Sequence, residues 1–182
     1  MTLNWPLGRI PRFGTAAVGL AHGFTNLGAI EITGAGFSAT VAVTSGTLVN
    51  APSGTITALA ETAGARTLNA AVDNQGTLSV SPGSASALAI NGSLTTSGTI
   101  TLDLGGLAAG TGYDQIAVTG PLTLGGTLIV GLFGAFVPVS TNSFTILTST
   151  GARTGAFATP NLAAPLGTNP LYGANSVTVS VP

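Results

Sequence analysis

Cysteine and lysine are missing from this sequence, histidine occurs once, and only 5% of the 182 residues are charged. Each shortage removes a class of chemistry. Without cysteine there is neither a disulfide framework nor a thiolate metal site, and every compartment stays open, export in an unfolded state included. Four scattered arginines, Arg9, Arg12, Arg66 and Arg153, cannot neutralise a row of phosphates, so nucleic acid is not expected as a partner. Aromatic residues are as scarce as charged ones, yet the chain does not carry the signature of disorder. Disorder needs low hydropathy with high net charge, whereas mean hydropathy here is +0.57 and net charge is −1. The chain should fold, and its length suits a single folding unit.

A long apolar helix is also lacking. No charged side chain occurs between Asp114 and Arg153, but the run Thr119–Leu132 (TGPLTLGGTLIVGL) contains Pro121, Gly125, Gly126 and Gly131, with threonine at 119, 123 and 127. That pattern belongs to a strand, and no transmembrane segment is expected. The N-terminal residues 1–21 contain two arginines before a short apolar run. Trp5, Pro6, Pro11 and Gly19 break that run, so residues 1–21 read as a cap or a fragment boundary rather than a signal peptide.

What is present is a repeat. A Gly-Thr-Leu/Ile tripeptide or its relative begins at Gly28, Gly54, Gly76, Gly98 and Gly126, at intervals of 26, 22, 22 and 28 residues, with a further copy at Gly46. Such intervals match one coil of a solenoid. The segment Ile90–Leu104 overlays Val118–Leu132 without a gap, pairing Ile90 with Val118, Leu94 with Leu122, Ile100 with Leu128, Leu102 with Val130 and Leu104 with Leu132. Val72 and Leu78 extend the same columns, as do Ile56, Ile30 and Ile32. Alternate residues are aliphatic and the others are Thr, Ser or Gly, the period of a half-buried strand. The fold expected is all-β: a parallel β-helix (β-solenoid) of some six coils, with aliphatic ladders inside and Thr and Ser facing water. The glycines that open each strand are expected to turn the corner with positive φ.

Coils are expected over residues 22–147, and residues 148–182 as an atypical C-terminal cap with a closing strand, Asn175–Val181. Phe136–Ser140 and Phe144–Ser149 read as strands.

From Gly110 to Val130 the chain reads GTGYDQIAVTGPLTLGGTLIV, followed by Phe144-Thr145-Ile146-Leu147, Gly155-Ala156-Phe157 and the closing alternation. These residues resemble the C-terminal part of autotransporter-like passenger regions and related repeat-rich bacterial surface proteins. Tyr113, Asp114, Gln115, Ile116, Val118 and Gly120 carry the match, which covers roughly Leu68 to Val181. The resemblance implies a right-handed parallel β-helix that is exported and displayed on, or released from, a bacterial surface, either as a passenger piece without its barrel or as a free secreted relative.

Candidate chemistry is sparse. Serine catalysis needs a base beside its nucleophile, and the single His22 reads as a surface or cap residue, with no G-x-S-x-G in the chain. One histidine and five carboxylates do not make a zinc site. Cleavage of polysaccharides by carboxylates on neighbouring coils is the main catalytic alternative. The register sets Asp73 beside Thr95 and Thr123, and Asp103 beside Ser81 and Gly131. Asp114 lies in the loop after Gly105–Gly112, far from a partner. Glu31, Glu61 and Arg66 read as solvated faces. The glycine-rich runs Gly34–Ala39 and Gly105–Gly112 lack the lysine or helix of a phosphate loop, Asn91-Gly92-Ser93 is a sequon by spelling only, and no calcium-binding repeat is present.

No catalytic residue, metal or cofactor is therefore expected. The function expected is a structural or adhesive module at a bacterial surface or outside the cell. It would act as a rigid rod or as a subunit stacking end to end, with Asn175–Val181 available for strand addition to another copy. Surface glycans are the alternative partner, through Trp5, Tyr113 or Tyr172.

Overall fold

The computed structural model describes residues 15–34, 36–60, 63–81 and 83–182, which form β-strands and turns without a helix. The chain winds as a β-solenoid. Strands β1 (Ala16–Asn26) and β2 (Ala29–Ile32) make the first rung, β3 (Ala39–Asn50) and β4 (Thr55–Ala58) the second, and β5 (Arg66–Asn74) and β6 (Thr77–Val80) the third. Then come β7 (Ala87–Ile90), β8 (Leu94–Thr96) and β9 (Thr99–Leu104), followed by β10 (Gln115–Val118), β11 (Leu122–Leu124) and β12 (Thr127–Leu132). A last rung, β13 (Ser143–Ser149), β14 (Arg153–Gly155) and β15 (Thr159–Leu162), precedes β16 (Leu171–Tyr172) and β17 (Ser176–Ser180). Two sheets result, one of eleven strands and one of six in the order β15-β12-β9-β6-β4-β2.

The aliphatic columns set the register, because a slip by one residue would turn every core side chain outward. Ile30 pairs with Ile56, Ile56 with Leu78, Leu78 with Ile100 and Ile100 with Leu128. On the larger sheet Leu94 lies between Val72 and Leu122, and Ile90 beside Val118. All of these residues are buried. Each contributes about 1.5–3 kcal/mol of apolar burial, and the sum over the columns is what offsets the entropy of ordering the coils. The pairings agree residue for residue with those expected from the repeat.

The corner glycines follow a different rule from the expected one. Gly126 does hold positive φ (64°), but Gly54, Gly76 and Gly98 do not. They are glycine because the backbone of one corner sits on the carbonyls of the corner before it. A Cβ at Gly76 would lie 2.2 Å from the Gly54 oxygen and 2.3 Å from that of Ala51, and one at Gly98 would lie 2.2 Å from the Gly76 oxygen. Gly46 (φ 86°) is not at a corner. It lies inside β3, beside the bulges that shift register between His22 and Phe24 and between Ala42 and Thr47.

The two ends differ. Strand β1 runs unbroken across residues 21 and 22 and pairs in parallel with β3. At the other end coiling continues beyond residue 147, since β14 pairs with β11 and β15 with β12. The closing strand β17 then folds back antiparallel on β13 and receives β16 on its other side. Pro160 stands in the outermost strand of the six-stranded sheet, where a missing N–H discourages a further strand. Phe136–Ser140, expected as a strand, is irregular. Pro138 interrupts it, Val137 and Val139 point to solvent, and Phe136 instead packs edge-on against the buried Phe144 ring at 6.0 Å.

Candidate functional site

The carboxylate placed farthest from a partner by the sequence is the one most engaged. Asp114 follows the Gly105–Gly112 excursion, which closes on itself through Gly105 N–H donating to the Gly112 carbonyl at 2.8 Å. That closure brings Asp114 back against β9. Its Oδ2 accepts the Asp103 N–H and its Oδ1 the Ser86 N–H, each at 2.8 Å. Asp103 in turn accepts the Gly83 N–H through Oδ2 at 2.7 Å. The two carboxylates thus hold the turn before β7 from two sides, a closeness that the repeat register does not reveal because the excursion falls outside it. Burial pushes the Asp114 carboxyl up to about 8, against the lowering effect of its two N–H donors, with the Asp103 charge adding a smaller upward push. Asp114 has no exposed surface and cannot itself reach a sugar, whereas Asp103 is half-buried; through these bonds the two side chains staple the turn.

The other candidates are also used internally. Arg66, expected on a solvated face, is 2% exposed. Its Nε donates to the Leu59 carbonyl at 2.7 Å, and one Nη to those of Gly64 at 3.1 Å and Phe37 at 3.3 Å, tying two inter-coil loops to β5. Tyr113, expected as an exposed glycan platform, is 7% exposed, with its ring edge-on to Phe144 at 5.3 Å. Tyr172 is half-buried, accepts the Phe157 N–H at 3.1 Å and lies under the Arg153 guanidinium at 5.2 Å. Glu31 is exposed, as expected. Trp5 and Glu61 lie outside the described residues.

His22 does meet a serine. Its Nδ1 is 3.1 Å from Ser45 Oγ, in an open depression of about 450 Å³ that Phe24, Thr47 and Val49 also line. The Ser45 hydroxyl donates to the Ala21 carbonyl at 2.9 Å, which engages the proton that a base would have to take. Among the described residues no three His, Asp or Glu side chains converge as for a metal ion.

Two arrays run along the coils, of which the sequence reading missed the first and expected the second only as a face turned to water. The first is internal: Asn26 Nδ2 donates to Asn50 Oδ1 and Asn50 Nδ2 to Asn74 Oδ1, both at 2.8 Å, and Asn74 Nδ2 to Thr96 Oγ1 at 3.1 Å. The same amides donate to the carbonyls of Thr55, Thr77 and Thr99 on the following rung. The signal was a polar residue two to four places before each corner glycine, at 26, 50, 74 and 96, visible only once Asn50 is aligned with Asn26. The second is external: Thr55, Thr77, Thr99, Thr127 and Thr159 are successive partners across the six-stranded sheet, with Thr57, Ser79 and Thr101 partnered in the next outward column.

No protein-family model matches the chain, and no curated protein matches it.

Proposed function

We propose that the chain is a non-catalytic structural or adhesive module, a stiff, nearly uncharged rod of an exported bacterial protein displayed on or released from the cell surface. The autotransporter-like resemblance, which covers roughly Leu68 to Val181, supports export and display. The observation that carries the reading is the fate of the chemically capable side chains. Asp114, Arg66 and Tyr113 are all buried, and the first two are spent on backbone groups. A coil stack built this way leaves function to its outer faces and its ends. Of the two modes, the rod is favoured over end-to-end stacking, because β17 already pairs within its own chain and Pro160 stands at the edge of the smaller sheet. Electron microscopy of concentrated protein should show short separate rods; long filaments would replace the rod reading with the stacking one. Incubation with a panel of polysaccharides should release no reducing ends, and release that disappears with Asp103→Asn would overturn the non-catalytic reading.

A further inference from the structure

The outer face of the six-stranded sheet differs from that of the larger sheet. Five consecutive rungs present threonine at one position, Thr55, Thr77, Thr99, Thr127 and Thr159. The corresponding columns on the larger sheet are mixed, one of them running Val49, Asp73, Thr95, Thr123 and Thr154. Thr154 there donates to Thr123 at 3.2 Å, so its hydroxyl is already used. In the column on the smaller sheet, by contrast, none of the five hydroxyls bonds to a described protein group. The adjoining column adds Thr57, Ser79 and Thr101. Ser79 is 7% exposed, alternates with the core residues Leu78 and Val80 and so points outward between Thr57 and Thr101, and its hydroxyl has no described protein partner. Among the described residues no buried side-chain oxygen lacks a partner, so the Ser79 hydroxyl reaches the surface, and like the threonines beside it is open to a partner from outside.

The chemistry of the face narrows what arrives. It has no aromatic ring for a sugar to stack on. Its bordering charges are Glu31 at the outermost rung and Asp103, whose Oδ2 is bonded to Gly83 N–H. The five threonines of the first column each offer one methyl and one hydroxyl with a restricted χ1, while the second column continues beyond Thr101 into Ile129 and Asn161. The backbone repeats the hydroxyls about every 4.8 Å along the coil axis, the separation of hydrogen-bonded strands. Water molecules bonded at about 2.8 Å to one tetrahedral neighbour are themselves about 4.6 Å apart. The two spacings differ by so little that five rungs stay near register, which a liquid cannot exploit and a solid can.

We infer that the threonine face of the six-stranded sheet, centred on Thr77, Thr99 and Thr127, binds the surface of ice. The inference rests on the reading of the chain as an adhesive module and names its partner. The test is partition of the full chain between a slowly growing ice front and the remaining liquid, with Thr99→Tyr placing a bulky ring at the centre of the face and Thr95→Tyr placing the same ring on the exposed outer side of the larger sheet. Far-ultraviolet spectra establish that each variant is folded; if Thr99→Tyr is not, Thr127→Tyr on the next rung serves in its place. The wild type and Thr95→Tyr should be enriched in the ice and shape its crystals, and the face variant should lose both properties. Exclusion of the wild type from ice, or equal enrichment of the face variant, would overturn the proposal. Binding to crystalline cellulose lost in Thr99→Tyr would overturn it in favour of a polysaccharide partner while leaving the adhesive reading intact, and self-association through the same face would overturn it in favour of a second copy.

Discussion

Replacing Asn50 by alanine removes the middle of the internal amide ladder. The side chain makes three hydrogen bonds: it accepts from Asn26, and donates to Asn74 Oδ1 and to the Thr77 carbonyl. Asn26 keeps two other acceptors for its amide, the carbonyls of Gly28 and Thr55. Asn74 fares worse, because the Asn50 amide is the donor to its Oδ1, and Asn74 is fully buried. One orphaned buried acceptor costs about 1–3 kcal/mol, and the remaining lost bonds about 1 kcal/mol each, so Asn50→Ala should destabilise by roughly 3–5 kcal/mol. Thr96→Val, at the end of the ladder, removes one acceptor from an Asn74 amide that still donates to the Thr99 carbonyl, and should cost about 1 kcal/mol. Urea unfolding followed by far-ultraviolet circular dichroism gives both values. An Asn50→Ala loss no larger than that of Thr96→Val would refute the ladder as a source of stability.

Asp114 makes the fold sensitive to pH. Its folded value of about 8 exceeds the ordinary 3.8, so the native chain binds the extra proton between those values, and stability is full near pH 4 and falls as pH rises toward 8. The slope approaches about 1.4 kcal/mol per pH unit at most, and thermal melts at pH 5 and pH 8 should show the lower midpoint at pH 8; equal midpoints would contradict it. Gly76→Ala drives a Cβ against the Gly54 and Ala51 carbonyl oxygens, both rigid backbone, and should lower the melting temperature sharply, whereas Gly83→Ala meets no neighbouring atom and strains only its own positive φ of 78°. Tyr113→Ala should cost about 3–5 kcal/mol through the cavity left beside Phe144, and Tyr113→Phe, which keeps the ring, close to nothing by the same denaturation assay.

The coil register was legible because an aliphatic column has one chemical meaning wherever it recurs. Ile56, Leu78, Ile100 and Leu128 could be aligned from the sequence, and they are direct partners in space. Features that do not recur at coil length were hidden. The excursion Gly105–Gly112 returns Asp114 to Asp103, a contact that the repeat cannot encode. Arg66 and Tyr113 were misjudged because residue type alone argues for exposure, while here carbonyls from two loops and the Phe144 ring receive them. The corner glycines were located correctly, but at Gly54, Gly76 and Gly98 the constraint is the carbonyl of the neighbouring corner and not the glycine's own φ, which is positive only at Gly126 among these four. The threonine column was read as a solvated face, and its unbroken run of threonine, with no protein partners for the five hydroxyls, separates it from the mixed columns of the larger sheet.

The pairing of equivalent strands from successive coils underlies every other statement, and the lack of cysteine allows it to be tested without background. Thr77 and Thr99 are direct partners, about 4.8 Å apart, whereas Thr77 and Thr127 are two rungs apart, near 10 Å. A disulfide needs Cα atoms about 4.4–6.8 Å apart. Under mild oxidation the double variant Thr77→Cys/Thr99→Cys should therefore cross-link within the chain, and Thr77→Cys/Thr127→Cys should stay reduced. Cross-linking of the second pair in preference to the first would contradict the coil register and the solenoid built on it.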